Sequence, residues 1–301
     1  MRAQDAFSLQ ACGLDGITAG RFRRRDGIER SDRAKLVPTV AVSKLHGTQN
    51  DFIILDERER RLKSYPKIAK QWCARHTGIG ADGLLVLSPS KVADARMRIF
   101  NADGTEAEMC GNGARCAARF LQERGSANDL LFETVAGPIE ATVIARQPEY
   151  VVRLKMGIPK VGRRRLAEAE YSFVSLGNPH VVLFATDLND IDLDAQAAKY
   201  NAAIAGGANV HVTVKRGRSH VQVRHWERGV GRTMACGTGA VAAAAAAMER
   251  GYVVTPVEVD VPGGRLRVEW DGESEASLEG PAVHVFDTEM ELPASAFVAR
   301  Q

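Results

Sequence analysis

The sequence predicts an α+β fold of two pseudo-symmetric domains, each a mixed or antiparallel sheet wrapped around one central helix. The first observation behind this prediction is a repeat. The segment 235–240, Ala-Cys-Gly-Thr-Gly-Ala, closely resembles the segment 109–114, Met-Cys-Gly-Asn-Gly-Ala, which lies 126 residues earlier (236 − 110). The same offset relates Phe100 to Trp226, and one long helix is predicted after each cysteine segment. Together these features indicate one ancestral unit that was duplicated.

The two long helices are predicted from composition. Residues 114–124 are mostly strong helix formers that stop before Gly125, and residues 240–250 contain six consecutive alanines and stop before Gly251. Glycine is favoured directly after a helix. Because a helix of alanines has no polar face, we expect the second helix to be enclosed on all sides by its own domain. The glycine-rich turn before each helix leaves main-chain N–H groups open to an anion.

The remaining elements are predicted from apolar periodicity and from turn residues. Strands are expected at 39–45, 52–56, 84–87, 95–100, on both sides of Gly137, and at 151–154, 171–176, 209–214, 219–226, 257–261, 265–270 and 284–287, with helices at 64–76 and 192–204 and a loop at 46–51. The turn at 177–180 stands in the second half where the loop stands in the first. Cys73 lies on the apolar face of its predicted helix, so we expect it in the core.

Charge divides the chain into a tail and a body. Residues 1–38 hold eight Lys or Arg against five Asp or Glu, which accounts for the whole net charge of +3. We interpret them as an N-terminal extension without stable structure. A mis-assigned start codon would explain it, and a transit peptide is a further alternative, although the five acidic residues argue against one. The domains are predicted at 39–160 and 161–301. A neutral body argues against nucleic-acid binding.

Other compositional features narrow the class of protein. The chain is 45% hydrophobic and 26% charged, and it has no apolar run near the ~20 residues of a membrane span and no secretory signal. Its five cysteines are odd in number and form no Cys-x-x-Cys pair. We therefore expect a soluble cytoplasmic protein with reduced thiols and without a zinc site.

A cysteine beside each helix start indicates proton transfer at a carbon. Inversion of a carbon centre needs an acid on one face and a base on the other, and two thiols can exchange these roles after each turnover. Cys110 and Cys236 hold the repeated positions, whereas Cys116 lies inside its helix and is expected in the core. A helix N-terminus is expected to lower a thiol pKa. No metal, phosphate-loop or pyridoxal motif is evident, although a Schiff-base lysine remains an alternative.

Several motifs, in one order over about residues 40–290, resemble those of the diaminopimelate epimerase family. They are Lys44-Leu45-His46-Gly47, Asn50-Asp51-Phe52, Phe100-Asn101-Ala102-Asp103-Gly104, Cys110-Gly111-Asn112-Gly113-Ala114-Arg115-Cys116, Gly177-Asn178-Pro179-His180, Glu227-Arg228-Gly229 and Ala235-Cys236-Gly237-Thr238-Gly239. The resemblance implies an enzyme without a cofactor or metal that interconverts LL- and meso-diaminopimelate for lysine and peptidoglycan synthesis. It also implies a cleft between the two domains and a homodimer.

The resemblance assigns roles motif by motif. Cys110 and Cys236 would carry the proton, and Glu227 would help to bind the reacting ammonium. The turns Gly111-Asn112 and Gly237-Thr238 would hold the reacting carboxylate. The other implied positions are the substrate contacts Asn50, Asn101, Asn178, Asn209 and Arg228, several of them at the distal end, and His180 near the catalytic centre. Arg228 can bind a distal carboxylate through two hydrogen bonds, and the asparagine side-chain oxygens can accept hydrogen bonds from a distal ammonium.

Some positions depart from the family pattern, and other functions stay open. Thr48-Gln49 stands where family members commonly have Leu-Gly. Gly83 stands where many have Gln, and Arg232 stands where Glu is frequent. These departures concern specificity more than proton transfer. A two-cysteine racemase of another amino acid would share the catalytic motifs, and a non-catalytic amino-acid-binding protein would share the cleft. Phenazine-type isomerases share the fold but lack this cysteine pair.

Overall fold

The computed structural model describes residues 39–59 and 62–292. The predicted extension at 1–38 lies outside these residues. In the part of the chain that is described, no helix has the length and apolar character needed to cross a membrane.

The first half contains eight strands and two helices within the described residues. In chain order they are β1 (Thr39–Gly47), β2 (Asn50–Asp56), α1 (Tyr65–Trp72), β3 (Gly83–Ser88), β4 (Ala95–Asn101), β5 (Glu106–Ala107), α2 (Gly111–Gln122), β6 (Asp129–Thr134), β7 (Gly137–Ala145) and β8 (Val151–Lys155). Every strand predicted for this half is present, and β5 is an additional short one. Helix α1 ends at Trp72, four residues before the predicted end, and Cys73 is 2% exposed in the core as predicted.

The second half repeats this order. It consists of β9 (Lys160–Leu166), β10 (Ala169–Ser175), β11 (Pro179–Ala185), α3 (Leu193–Ala203), β12 (Asn209–Gly217), β13 (His220–Glu227), β14 (Gly231–Thr233), α4 (Gly237–Glu249), β15 (Val257–Val261), β16 (Gly264–Glu269), β17 (Ser277–Pro281) and β18 (Val283–Glu291). The sequence missed β9, β11, β14 and β17. Helix α3 begins after Asp192, whose Oδ1 caps the main-chain N–H groups of Asp194 and Ala195.

Strand pairing is the same in both halves. In the first half, β1–β2 is antiparallel, β2–β3 parallel, β3–β4 antiparallel, β4–β6 parallel, and β6–β7 and β7–β8 antiparallel. The series β10–β11, β11–β12, β12–β13, β13–β15, β15–β16 and β16–β17 repeats these directions. The predicted α+β fold of two similar mixed sheets is confirmed.

Two pairings join the halves. Strand β8 pairs antiparallel with β17, and the last strand, β18, pairs antiparallel with β1. The C-terminal strand therefore completes the sheet of the first half. The boundary between residues 160 and 161 stays a prediction.

Helices α2 and α4 occupy the centre of their sheets. Residues 240–247 of α4 are all 0% exposed, which confirms the predicted enclosure of the alanine helix. Both helices begin three residues earlier than predicted, at Gly111 and Gly237. The glycines lowered the predicted helix propensity, but here they form the first helical turn because it packs in the core. As a result each cysteine is itself the N-cap residue.

A tight turn replaces the predicted loop at 46–51. Strands β1 and β2 are joined by Thr48 and Gln49 alone, at φ 49° and 63°. Two consecutive residues with positive φ match the twist of a two-residue hairpin. A β-branched threonine rarely adopts this conformation. Thr48 is only 2% exposed, so its side chain is fixed against the interior.

Candidate active site

The N-terminal ends of α2 and α4 meet. A Cβ placed on Gly111 would lie 4.0 Å from the Cα of Gly237, and one placed on Gly237 would lie 3.8 Å from the Cα of Gly111. The preceding N-cap residues, Cys110 and Cys236, have similar extended backbones, with φ/ψ of −145°/117° and −126°/114°. The positive ends of two helix dipoles and two thiols therefore converge at one place between the halves.

Cys236 is buried beside a carboxylate. Its Sγ accepts a hydrogen bond from the Gly239 N–H at 3.3 Å and lies 3.6 Å from Thr238 Oγ1. Burial raises its pKa well above the ordinary value, and the Glu227 carboxylate, which is hydrogen-bonded to this thiol, raises it further. Burial also raises the pKa of Glu227, whose Oε1 accepts a hydrogen bond from Thr233 at 2.6 Å. Thiol and carboxyl are thus coupled sites for protons.

Cys110 has a different environment. Its Sγ lies 3.6 Å from Asn50 Oδ1, to which only a protonated thiol can donate. Burial raises its pKa and the charge of Glu227 adds to this, while the main-chain N–H groups of Gly113 and Asn112 act in the opposite direction. The expectation of lowered thiol pKa values is therefore wrong for both cysteines, because burial outweighs the helix N-terminus.

Asn50 and Asn112 form a bridge across the site. Asn112 Nδ2 donates to Asn50 Oδ1 at 3.1 Å and to the carbonyl oxygen of Ala235 at 3.2 Å. Asn50 Nδ2 donates to Asp82 Oδ2 at 2.8 Å. The side chain after one cysteine turn is thus bonded to the main chain before the other cysteine.

Asn101 is the last residue of β4. It pairs with Gly83 in the β3–β4 register, and its Nδ2 donates to Thr105 Oγ1 at 2.9 Å. The next residue, Ala102, donates its N–H to the carbonyl of Asp82. The chain next to Asn101 is thus held to Asp82, the residue that accepts from Asn50, while the Asn101 side chain itself bonds to Thr105.

Three histidines form a buried chain across β11, β12 and β13 of the second half. His180 Nε2 lies 2.8 Å from Asn178 Oδ1, and its Nδ1 lies 2.9 Å from His211 Nε2. His211 Nδ1 lies 2.9 Å from His225 Nδ1. All three rings are 0–1% exposed. His180 is therefore placed behind Asn178, without surface of its own.

Burial keeps the three histidines neutral. It lowers the pKa of His180 and of His225 to about 3 and that of His211 well below its ordinary value. The chain packs under the first turn of α4, since a Cβ on Gly239 would lie 2.5 Å from His211 Cε1. It thereby supports the turn whose N–H contacts the Cys236 thiol.

Asn209, which pairs with His180 in the β11–β12 register, is hydrogen-bonded to Arg228. Asn209 Oδ1 accepts the main-chain N–H of Arg228 at 2.9 Å, and its Nδ2 lies 3.4 Å from the carbonyl of Pro179. The exposed Arg228 guanidinium donates to the carbonyl of Gly206 at 2.5 Å, an uncharged partner. Its charge is thus available to an anion.

Contacts in the structure connect Asn50 and Asn112 with Cys110, Thr238 and Glu227 with Cys236, Asn178 with His180, and Asn209 with Arg228, whereas the Asn101 side chain bonds to Thr105. Sequence reasoning missed four side chains that support them: Thr48, Arg115, His211 and His225. The histidines gave a signal, since they occupy inward positions of predicted strands. Within the described residues, no three His, Cys, Asp or Glu side chains form a group that could hold a metal ion.

Comparison with known structures supports the fold. A phenazine biosynthesis protein of Bacillus anthracis superposes with a TM-score of 0.66 at 18% identity, over 85% of this chain and 100% of that one. A hydroxyproline epimerase of Agrobacterium vitis, determined with bound trans-4-hydroxy-L-proline, gives 0.62 at 14% identity, over 87% and 96%. At these identities the likeness concerns the fold alone.

Comparison of sequences shows the family. The profile of the diaminopimelate epimerase family matches residues 42–161 and 172–285. The diaminopimelate epimerase of Desulfitobacterium hafniense is 38% identical over 273 residues, which is 82% of this chain and 96% of that protein. The chain therefore belongs to the diaminopimelate epimerase family.

Proposed function

We propose that this protein interconverts LL- and meso-diaminopimelate by moving the α-proton between two thiols, without a cofactor. The observation that supports this most directly is the meeting of the α2 and α4 N-termini with a cysteine at each N-cap. Two thiols placed this way can serve opposite faces of one carbon. Family membership supports the same reaction.

The surroundings of the thiols favour different starting roles. The Cys110 thiol can donate a hydrogen bond to Asn50 Oδ1, which favours its protonated form and so suits the acid. Cys236 accepts the Gly239 N–H, which favours its thiolate, and Glu227, hydrogen-bonded to the thiol, can take its proton; because burial raises the pKa of Cys236, its thiolate is a minor form but a strong base. The Cys236 thiolate then removes the α-proton while the Cys110 thiol protonates the opposite face. One S–H bond breaks and one forms, so the roles are exchanged for the reverse reaction.

The helix N-termini can stabilise the charge that develops. Loss of the α-proton spreads negative charge onto the α-carboxylate, and the main-chain N–H groups of the turns at Gly111-Asn112 and Gly237-Thr238 are the donors proposed to hold it. Such donors act strongly in a water-poor site because they are already oriented. The proposed role of His180 is indirect, since it is buried and neutral: it holds the Asn178 side chain.

The distal end of the site supports the substrate assignment. Diaminopimelate carries a second carboxylate, and the exposed Arg228 guanidinium is suited to bind it bidentately. A racemase of a smaller amino acid would not need this cation. The proposal also includes a cytoplasmic homodimer that supplies lysine and peptidoglycan synthesis.

An activity assay tests the proposal. Purified protein should epimerise LL-diaminopimelate and should do so with a higher kcat/KM than it shows for proline, 4-hydroxyproline or other amino acids without a distal carboxylate. Cys110→Ala and Cys236→Ala should each abolish turnover, whereas the matched core variant Cys73→Ala should retain it. A preference for another amino acid would favour the racemase, and binding without turnover would favour the binding protein.

A further inference from the structure

Arg115 is a fully buried cation whose hydrogen bonds all go to uncharged oxygens. It is 0% exposed on α2. Its Nη2 donates to Asn112 Oδ1 at 2.8 Å and to Thr48 Oγ1 at 3.2 Å, and its Nε donates to the carbonyl of Pro281 at 3.2 Å. Its Nη1 has no hydrogen-bond partner in the described part of the chain. A buried guanidinium without a counter-ion is costly, so its presence calls for a reason.

The surrounding backbone is shaped to hold this guanidinium. A Cβ on Gly47 would lie 2.9 Å from Arg115 Nη2, and a Cβ on Gly280 would lie 3.0 Å from its Nε. Both segments therefore leave room for the planar group. The strained Thr48 turn points its hydroxyl at the same group. Segments far apart in the sequence thus converge on one side chain.

Arg115 determines the orientation of both active-site asparagines. A guanidinium can only donate, so Asn112 must turn its Oδ1 toward it. Asn112 Nδ2 then faces Asn50 Oδ1 and the carbonyl of Ala235. Asn50 in turn directs its Nδ2 to the acceptor-only carboxylate of Asp82. Arg115 can only donate and the Asp82 carboxylate can only accept. Only one orientation of the Asn112 and Asn50 amides therefore satisfies every hydrogen bond between them.

We propose that Arg115 is the positioning residue for Cys110: through Asn112 it keeps the Asn50 carbonyl directed at the thiol, and its charge stabilises the thiolate when it forms. This inference rests on the proposed function, since it assigns the support of one of the two proton-carrying thiols. Asn50 Oδ1 holds the thiol form, while the guanidinium and the N-terminus of α2 favour the thiolate. The residue therefore balances the two states that an acid–base group must alternate between.

The first experiment compares Arg115→Gln and Arg115→Lys with the same changes at Arg119. Arg119 is a matched control because it lies one turn later on α2 and donates to the adjacent carbonyl, Ala282, but forms an ion pair with Glu123. The reaction of Cys110 with iodoacetamide is followed against pH in a Cys236→Ala background. We expect Arg115→Gln to move the midpoint up by about one pH unit, because a nearby positive charge is lost.

The two substitutions separate charge from orientation. Arg115→Lys should keep the alkylation midpoint near that of the parent protein, because the charge remains. In the otherwise wild-type enzyme, both Arg115 variants should lower kcat/KM at least about tenfold, because the forked hydrogen bonds are lost. The Arg119 variants should change neither quantity. A folded Arg115→Gln protein with an unchanged midpoint and unchanged turnover would overturn the inference.

A second variant keeps the test decisive if Arg115→Gln does not fold. Asn112→Asp keeps an acceptor for the guanidinium but removes the Nδ2 donor to Asn50 Oδ1 and to the Ala235 carbonyl, so it should release the Asn50 carbonyl from its orientation and raise the Cys110 midpoint, at some cost in melting temperature. A folded Asn112→Asp protein with an unaltered Cys110 midpoint would count against the positioning role. The alkylation measurement needs no substrate, so it tests the positioning role independently of the reaction. A wild type that fails to epimerise diaminopimelate would contradict the proposed function instead.

Discussion

Asn112 Nδ2 donates a hydrogen bond to the carbonyl oxygen of Ala235 at 3.2 Å. Asn112 lies two residues after Cys110, and Ala235 lies directly before Cys236. This one bond connects the cysteine turn of the first half to that of the second. Together with the packing of Gly111 against Gly237, it holds the two cysteine turns in register, which matters because misplacement by about 1 Å can cost about a hundredfold in rate.

The substrate assignment depends on Arg228. Arg228→Lys should reduce kcat/KM for diaminopimelate about 10-fold to 150-fold, because the planar fork that binds a carboxylate is lost. Arg265→Lys is the control, since Arg265 is exposed and already paired with Asp260 at 2.6 Å. Steady-state kinetics of both variants decide the matter. If the two substitutions have equal effects, Arg228 has no special role at the distal end.

The thiols should differ in reactivity. Burial raises the pKa of Cys73 and of Cys116 to about 12, and they are 2% and 0% exposed. We expect iodoacetamide at pH 8 to modify the partly exposed Cys110 in the folded protein, and to reach Cys73 and Cys116 only after unfolding. Peptide mass mapping separates these sites from Cys12, which lies outside the described residues. Rapid labelling of Cys116 in the native state would contradict the buried α2 core.

The histidine chain should make stability depend on pH. Each histidine binds a proton near pH 6.5 when unfolded, but in the folded protein the pKa of His180 and His225 is lowered to about 3. Their contribution is therefore complete above pH 6.5 and is lost as the pH falls toward 3, at up to about 1.4 kcal/mol per pH unit for each ring.

Urea unfolding at pH 7.5 and pH 5.5 tests this dependence. His225→Leu should reduce the loss of unfolding free energy between the two pH values by about 1.4 kcal/mol, the contribution of one histidine, whereas His76→Asn, at an exposed position, should leave that loss unchanged. The comparison with the wild type removes the contribution of carboxylates, which is common to all three proteins. Equal losses of unfolding free energy in the wild type and in His225→Leu would show that the histidine chain is protonated in the folded protein.

Local patterns were sufficient for most of the fold. The repeat predicted two similar halves, and the alanine run predicted a buried α4. Strand β9 was not predicted because most of its residues are exposed, including consecutive arginines at 163–165. Its position is determined by pairing with β10. The starts of α2 and α4 were missed because glycine is a poor helix former, and packing overrides that preference.

The candidate site likewise contains residues that sequence motifs identify and residues that only the folded structure identifies. The cysteines and the asparagines lie in motifs that a sequence displays. Arg115 could not be identified as a support, because its partners Thr48 and Pro281 lie 67 and 166 residues away along the chain. Thiol pKa values likewise depend on burial and on Glu227, which only the folded chain brings together. Sequence therefore indicates the reacting groups more readily than what holds and tunes them.

Two thiols on opposite faces of one carbon predict a specific isotope pattern. When LL-diaminopimelate is converted in D2O and analysed at low conversion, the meso product should carry one deuterium at the inverted carbon, because its new proton comes from a thiol that has exchanged with solvent. The recovered LL substrate should carry none, because the proton taken by the first thiol returns to the same face before it exchanges. A meso product that retains the original hydrogen, or LL substrate that gains deuterium as fast as product forms, would contradict the two-thiol mechanism.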